Sequence, residues 1–171
     1  MSDHPDHVDN IQAEWRRSRP DLDVSPLGVI GRLHRLGSFL TDELVGVYRR
    51  HGLGEGDFDV LATLRRAGEP FERTPGELSA STMVTTGAMT KRIDRLADAG
   101  LVTRRKSDVD GRGRVVALTD KGRRLIDEAF TDHVANEHRL LESLTKQEQD
   151  LLRGVLAKWL REFESGDSSG S

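Results

Sequence analysis

The 171-residue chain contains no cysteine. Disulfides, thiolate metal ligands and cysteine nucleophiles are therefore excluded. Aromatic residues are scarce at 5%, whereas charged residues reach 32%, a balance that favours a helical protein rich in polar surface. No run of about 18 apolar residues occurs, so no membrane span is expected. The N-terminus, MSDHPDHVDN, is acidic and polar and does not resemble a secretory signal; a cytoplasmic protein is expected. The sequence also lacks a GxSxG elbow, an HExxH pair and a glycine-rich phosphate loop. Its acidic residues sit on ordinary helical faces, so neither an enzyme nor a cofactor is expected. The length suits one domain, or one domain with an extension, and allows a real core.

What is present is an uneven charge. The net charge is −3, but Arg73 to Arg124 carries 12 Lys+Arg against 6 Asp+Glu, a balance of +6, while the remainder is −9. The basic segment has the footprint of a nucleic-acid-binding surface, and the acidity elsewhere limits indiscriminate binding.

Within it, Thr74 to Thr119 reads as a short capped helix, a turn, an amphipathic helix and a hairpin. Thr74, Pro75 and Glu77 make a capping box with proline at the first helical position. Leu78 faces inward, and Ser79 to Val84 are expected to form the turn. The second helix is expected to begin at Thr85 or Thr86 and to end at Gly100, a natural C′ residue. Met89, Ile93, Leu96 and Ala97 form one apolar stripe at the helical period. Gly87, Lys91, Asp94 and Arg95 lie opposite, with Thr86 and Thr90 on the margin. Such a face can enter a major groove, since small residues permit close approach while Thr and Lys reach base edges and phosphates. The β-rich runs Leu101–Thr103 and Val115–Leu118 flank Arg104, Arg105, Lys106, Arg112 and Arg114, with Asp110-Gly111 as turn residues. Guanidinium groups at a hairpin tip suit a narrow, electronegative minor groove. The order predicts a mainly α fold with a small β wing, a winged helix-turn-helix. Its expected DNA contacts are Thr86, Gly87, Thr90, Lys91, Arg95, Arg105, Arg112 and Arg114.

Around this segment the pattern is helical. Residues 1 to 7 are expected to be disordered. Val8, Ile11 and Trp15 mark a short helix ending before Arg19-Pro20. Ser25-Pro26 opens a helix whose stripe runs from Leu27 through Ile30, Leu33, Leu36, Leu40 and Leu44 to Tyr48. Gly28, Gly31 and Gly37 lower its propensity, and their expected use is close approach of another helix. Glu55 to Ala67 forms a helix with Phe58, Val60, Leu61 and Leu64 inward and Asp59 on the less apolar side. After the hairpin, Thr119 caps a long helix carrying Ile126, Ala129, Phe130 and His133. Thr145 and Glu148 make a second capping box. The last helix bears Leu151, Leu152, Val155, Leu156, Trp159, Leu160 and Phe163, too much apolar surface for a lone terminal helix. A two-fold dimer would bury it and set two reading helices roughly 34 Å apart on a pseudo-palindromic operator.

Several of these residues carry a resemblance. Thr90-Lys91-Arg92-Ile93-Asp94-Arg95-Leu96, then Gly100-Leu101-Val102, and Asp110-x-Arg112 continuing to Leu118-Thr119 and Gly122 resemble the DNA-binding core of the MarR family of transcriptional regulators. The resemblance implies an obligate homodimer on double-stranded DNA, usually a repressor relieved by a small ligand; without cysteine, the thiol-based peroxide sensing of some members is excluded. It divides the chain into N-terminal extension and dimerisation helices (1–52), the DNA-binding domain (53–122), C-terminal dimerisation helices (123–164) and a disordered tail (165–171). The N-terminal runs Trp15-Arg16-Arg17 and Arg19-Pro20-Asp21-Leu22-Asp23 are similar to the extension of the urate-responsive branch. On that likeness the ligand-binding set is Trp15, Asp59, Arg92 and Arg104, with urate as the favoured effector and a carboxylate metabolite such as trans-aconitate as the alternative. A planar monoanion wants a flat ring to stack on and a guanidinium for paired hydrogen bonds; the plainer account is three surface charges and a packed tryptophan.

Metal response is a second alternative, because some relatives bind zinc through His and carboxylates. His4, His7, His34, His51, His133 and His138 are available, but none has a compelling ligand spacing, and no metal is assigned. A protein-interaction module would explain the terminal helices and leave the basic wing without a purpose.

Overall fold

The computed structural model describes residues 4–82, 86–106 and 114–167. Its elements are α1 (His7–Ser18), α2 (Leu27–Arg50), α3 (Glu55–Arg66), β1 (Glu72–Arg73), α4 (Pro75–Thr82), α5 (Thr86–Asp98), β2 (Val102–Lys106), β3 (Arg114–Leu118), α6 (Asp120–Leu140) and α7 (Lys146–Asp167). The three strands form an antiparallel sheet in the order β1-β3-β2, with Arg104 opposite Val116 and Lys106 opposite Arg114.

The core gathers around α3. Val60, Leu61 and Leu64 are fully buried, against Val47 of α2, Leu78 of α4, Ile93 of α5 and Ile126 of α6. The apolar stripe of α5 is buried as its spacing required, through Met89, Ile93 and Leu96. That helix ends in a Schellman motif: Gly100 adopts φ 70°, its N–H donates to Ala97 O at 2.8 Å, and Leu101 N–H donates to Leu96 O at 2.9 Å. Thr119 caps α6 through Gly122 N–H at 3.0 Å. Both expected capping boxes form, Thr74 with Glu77 and Thr145 with Glu148.

Four expectations need adjustment. The turn proposed for Ser79 to Val84 is helix as far as Thr82, whose hydroxyl donates to Leu78 O at 2.8 Å; residues 83–85 lie outside the described residues. Of residues 1 to 7, expected to be disordered, His7 opens α1 and Asp6 caps it through Val8 and Asp9 and pairs with Arg32 at 2.8 Å; residues 1–3 lie outside the described residues. Ser25 does not cap α2, since its hydroxyl donates to Asp23, and the helix starts at Leu27. Strand β1 was not expected: two residues carry no periodicity, and only pairing with Ala117 and Val116 defines them.

Helix α1 lies along the first half of α2. A Cβ at Gly31 would meet Val8 at 3.2 Å and one at Gly28 would meet Gln12 at 3.4 Å, so these glycines receive another helix; one at Gly37 would meet nothing within 4 Å. The reverse contact is tight at Gly122, where a Cβ would stand 2.0 Å from the Leu101 carbonyl oxygen. Among the described residues, no helix is long and apolar enough to cross a membrane.

Candidate functional site

Helix α5 is held in front of α3 by two arginines. Arg95 Nη2 donates to Asp57 Oδ1 at 2.6 Å. Asp57 is buried in the first turn of α3 and also accepts from Gly54 N–H at 3.3 Å. One turn back, the Arg92 guanidinium lies where a Cβ on Gly56 would sit, 1.9 Å from its Cζ. Any side chain larger than hydrogen at position 56 would displace it. Arg92 Nη1 is buried and has no hydrogen-bond partner among the described residues.

The opposite face of α5 is open. Lys91 and Thr90 are exposed on it, and the Thr90 carbonyl accepts from Arg104 at 3.5 Å. Arg104 also pairs with Asp94 at 2.6 Å, tying the base of the wing to the recognition helix. Arg105 pairs with Glu72 of β1, and Arg114 is exposed at the start of β3. Thr86 and Gly87 lie in the first turn of α5, but their side chains fall outside the described residues, as do Arg112 and the Asp110-Gly111 turn. Thr90, Lys91, Arg104 and Arg114 thus share one side with the strands, whereas Arg92 and Arg95 turn back towards α3. Arg95 and Arg105 are each committed to a carboxylate of their own chain.

Behind α5, a cavity of about 430 Å³ opens between α2, α3, α4 and α6. Its lining includes Tyr48, Phe58, Asp59, Ala62, Thr63, Arg66, Thr82, Phe130 and His133. Tyr48 and Phe58 stack with centroids 4.0 Å apart, and His133 tilts against Phe58 at 5.1 Å and Phe130 at 5.6 Å. His133 Nδ1 lies 3.3 Å from the Tyr48 hydroxyl and its Nε2 lies 3.2 Å from Glu137. Desolvation by burial raises the Asp59 carboxyl, helped by Glu55, while Arg92, Arg66 and His133 oppose the shift. Burial, then the Asp59 and Glu55 charges, push the Tyr48 hydroxyl up to about 12. The floor is aromatic, and Arg66 of α3 and Arg92 of α5 act electrostatically on the carboxylate.

Of the four residues assigned to a ligand, the structure brings together Asp59 and Arg92. Arg104 lies on the other face of α5 with Asp94. Trp15, 48% exposed, lies on α1 beside the N-terminal end of α2, whereas Tyr48 and the cavity stand at the C-terminal end. The aromatic floor was missed because Tyr48, Phe58, Phe130 and His133 come from three helices, where each reads as one more member of an apolar stripe. Asp57 as the anchor of Arg95 and Gly56 as the seat of Arg92 gave no sequence signal beyond a small and an acidic residue in a first turn. Among the described residues no group of three His, Asp or Glu side chains is placed to hold a metal.

An exposed helix stabilised from behind, a three-stranded sheet with basic strand ends and helices packed at its back define a winged helix-turn-helix transcription factor. A family model described as MarR family matches residues 51–113, and the chain belongs to that family. It is 37% identical to the HTH-type transcriptional regulator PecS of Dickeya dadantii over 88% of this chain and 91% of that one. Among solved structures it is similar to a mutant MarR from E. coli complexed with operator DNA, with a TM-score of 0.66 and 27% identity over 85% of this chain and 97% of the other. AbsC of Streptomyces coelicolor shares the fold with a TM-score of 0.72, 23% identity and coverage of 84% and 98%. The protein is a DNA-binding transcriptional regulator and not an enzyme.

Proposed function

We propose that the protein is a homodimeric, cytoplasmic repressor that binds a pseudo-palindromic operator and is released by a small anion held behind the recognition helix, with urate favoured. The observation that carries the effector reading is Arg92: a guanidinium with a buried, unpartnered N–H beside Asp59, on the inner face of the helix that reads DNA. An unsatisfied buried donor costs about 1–3 kcal/mol, and an anion that reached Arg92 past Asp59, from the cavity edge, would remove that cost. It would also repel the Asp59 carboxylate, so occupancy and the position of α5 become linked. The aromatic floor supplies a stacking surface for a planar ring.

In this reading residues 53–122 read DNA through Thr86, Gly87, Thr90, Lys91, Arg112 and Arg114, with Arg95 and Arg105 available to phosphates at the cost of their internal pairs. Residues 1–52 and 123–164 form the dimer. The exposed apolar side chains of α7, with Leu151 at 68% and Phe163 at 65% exposure, favour it. The test is calorimetry of urate into wild type and Arg92→Ala, with trans-aconitate as comparator, beside operator gel shifts. Wild type should bind urate and release DNA, while Arg92→Ala should need at least tenfold more ligand. If trans-aconitate alone binds, the effector is a carboxylate; if neither binds, the effector reading fails.

A further inference from the structure

Successive residues of a strand point to opposite faces of a sheet, so the register sorts the basic residues of the wing. Arg104 stands opposite Val116 and Lys106 opposite Arg114. Val116 belongs to the core, and Arg104 turns to Asp94 of α5. Arg104, Lys106 and Arg114 therefore share the face on which α5 lies. Arg105, opposite Val115, points the other way, the one basic residue among those described in β2 and β3 to do so.

That outer face also carries Glu72. Glu72 is level with Ala117, Arg105 with Val115, and β3 runs between their strands. Two strand spacings separate β1 from β2, about 10 Å, and the two side chains close that span by meeting above β3 in an ion pair. Beneath them are Val115 and Ala117, which are buried although they stand outside the core packed around α3. The aliphatic stem of Arg105 is the kind of cover such residues need. The Glu72 side chain is itself only 14% exposed. A carboxylate in such a place is costly without its cation, so a DNA phosphate that drew Arg105 away would strand it. Glu72 also sits at the root of the reading head. Thr74, two residues on, caps α4, and the carbonyl of Phe71, one residue before, accepts from Leu118 N–H at 3.1 Å. Strand β1 pairs with β3 and not with β2. The ion pair is thus a direct tie between β2, which carries the wing towards its tip, and the segment that opens α4.

We infer that Arg105 is a brace and not a DNA contact, and that Glu72 is the positioning residue that sets the wing against the reading head through it. The brace fixes the tilt of β2 relative to β1 and α4, and so the place at which the basic residues of the opposite face meet DNA. It replaces the phosphate contact otherwise open to Arg105 and leaves the other DNA contacts of the proposed function as they stand.

The test uses a duplex that the full-length wild type selects from random-sequence DNA, with binding followed by fluorescence anisotropy at several salt concentrations. Glu72→Gln and Arg105→Gln each remove one charge. A brace makes each variant weaker by about tenfold, leaves the double variant no weaker than either single one, and keeps the wild-type salt slope in all three. A phosphate contact gives another pattern. Arg105→Gln then lowers the slope by about one unit, while Glu72→Gln, which frees the arginine, binds as well as wild type or better. That pattern overturns the inference, as do single variants that bind like wild type or losses that add in the double variant. Should a single variant fail to fold, the exchanged chain, Glu72→Arg with Arg105→Glu, decides. It rebuilds the pair with its ends reversed and should bind within about twofold of wild type. A larger loss, as a carboxylate facing phosphate at position 105 would give, overturns the brace.

Discussion

Asp59 meets two opposing demands. Partial desolvation in the cavity wall disfavours its charge, and Glu55 adds to that; Arg92, Arg66 and His133 favour it. The net shift is upward, so the folded chain holds this proton more tightly than the unfolded one. The carboxylate then contributes no penalty below the ordinary aspartate range, near 3.8, and lowers stability as pH rises through its raised native value. Asp59→Asn removes that penalty. The residue is largely exposed, which screens the effect, so a small gain in Tm is expected at pH 7, shrinking to nothing below the ordinary aspartate range; scanning calorimetry of both proteins across that range checks it. The same variant should still bind urate while its effect on DNA affinity shrinks. Lys91 poses a simpler case, an exposed cation on the outer face of α5. Lys91→Ala should weaken operator binding at every sequence alike and lower the salt slope by about one unit, as measured by gel shifts at several salt concentrations. Unchanged affinity and slope would remove Lys91 from the interface.

Helices and strands were legible where one face had one job. Met89, Ile93 and Leu96 repeat at the helical period and are buried, and Thr74, Thr119 and Thr145 announce helix starts by chemistry that acts over three residues. Where an element serves two neighbours the signal fails. Phe58 is core to Leu61 and floor to the cavity at once, and Tyr48 and His133 likewise. The two residues of β1 have no pattern, and the distance from Trp15 to Asp59 depends on α1 doubling back along α2, which no local run encodes. The joint between wing and α6 is intermediate: Thr119 was readable as a cap, but the approach of Gly122 to Leu101 was not. Thr119 Oγ1 donates to Gly100 O at 2.8 Å and Lys121 Nζ to Ala99 O at 2.8 Å. At Gly122 the obstacle to a side chain is backbone, 2.0 Å away, which cannot swing aside. Gly122→Ala should cost about 1–3 kcal/mol or more, seen as a lower urea midpoint, and should disturb DNA binding ahead of dimer formation. A variant as stable as wild type would show that the joint can open.

Taken as one body, the chain presents more apolar surface than a monomer keeps. Val29, Leu36, Phe39 and Leu40 of α2 and Leu151, Val155, Leu160 and Phe163 of α7 are exposed, and obligate homodimers commonly bury about 2,000 Å² or more. Deleting residues 145–171 removes half of this surface and strands the rest. The shortened chain should aggregate or lose operator binding, as followed by light scattering and gel shift. A soluble, monomeric, fully active product would end the dimer assignment.

The weld at Gly122 has a mechanical consequence. Helix α6, 21 residues long, is a rod of about 32 Å, fixed without slack to the wing at one end and directed towards the proposed dimer contact at the other. In the proposed dimer such a pair of rods would behave as calipers. A pivot of about 5° at the hinge moves a tip of this length by nearly 3 Å, close to the 3.4 Å rise of one base pair along a strand. The jaws of that dimer would therefore lose register with their grooves after a rotation that would barely disturb the packing at the hinge, and an operator lengthened by one base pair at its centre would sit outside their grip.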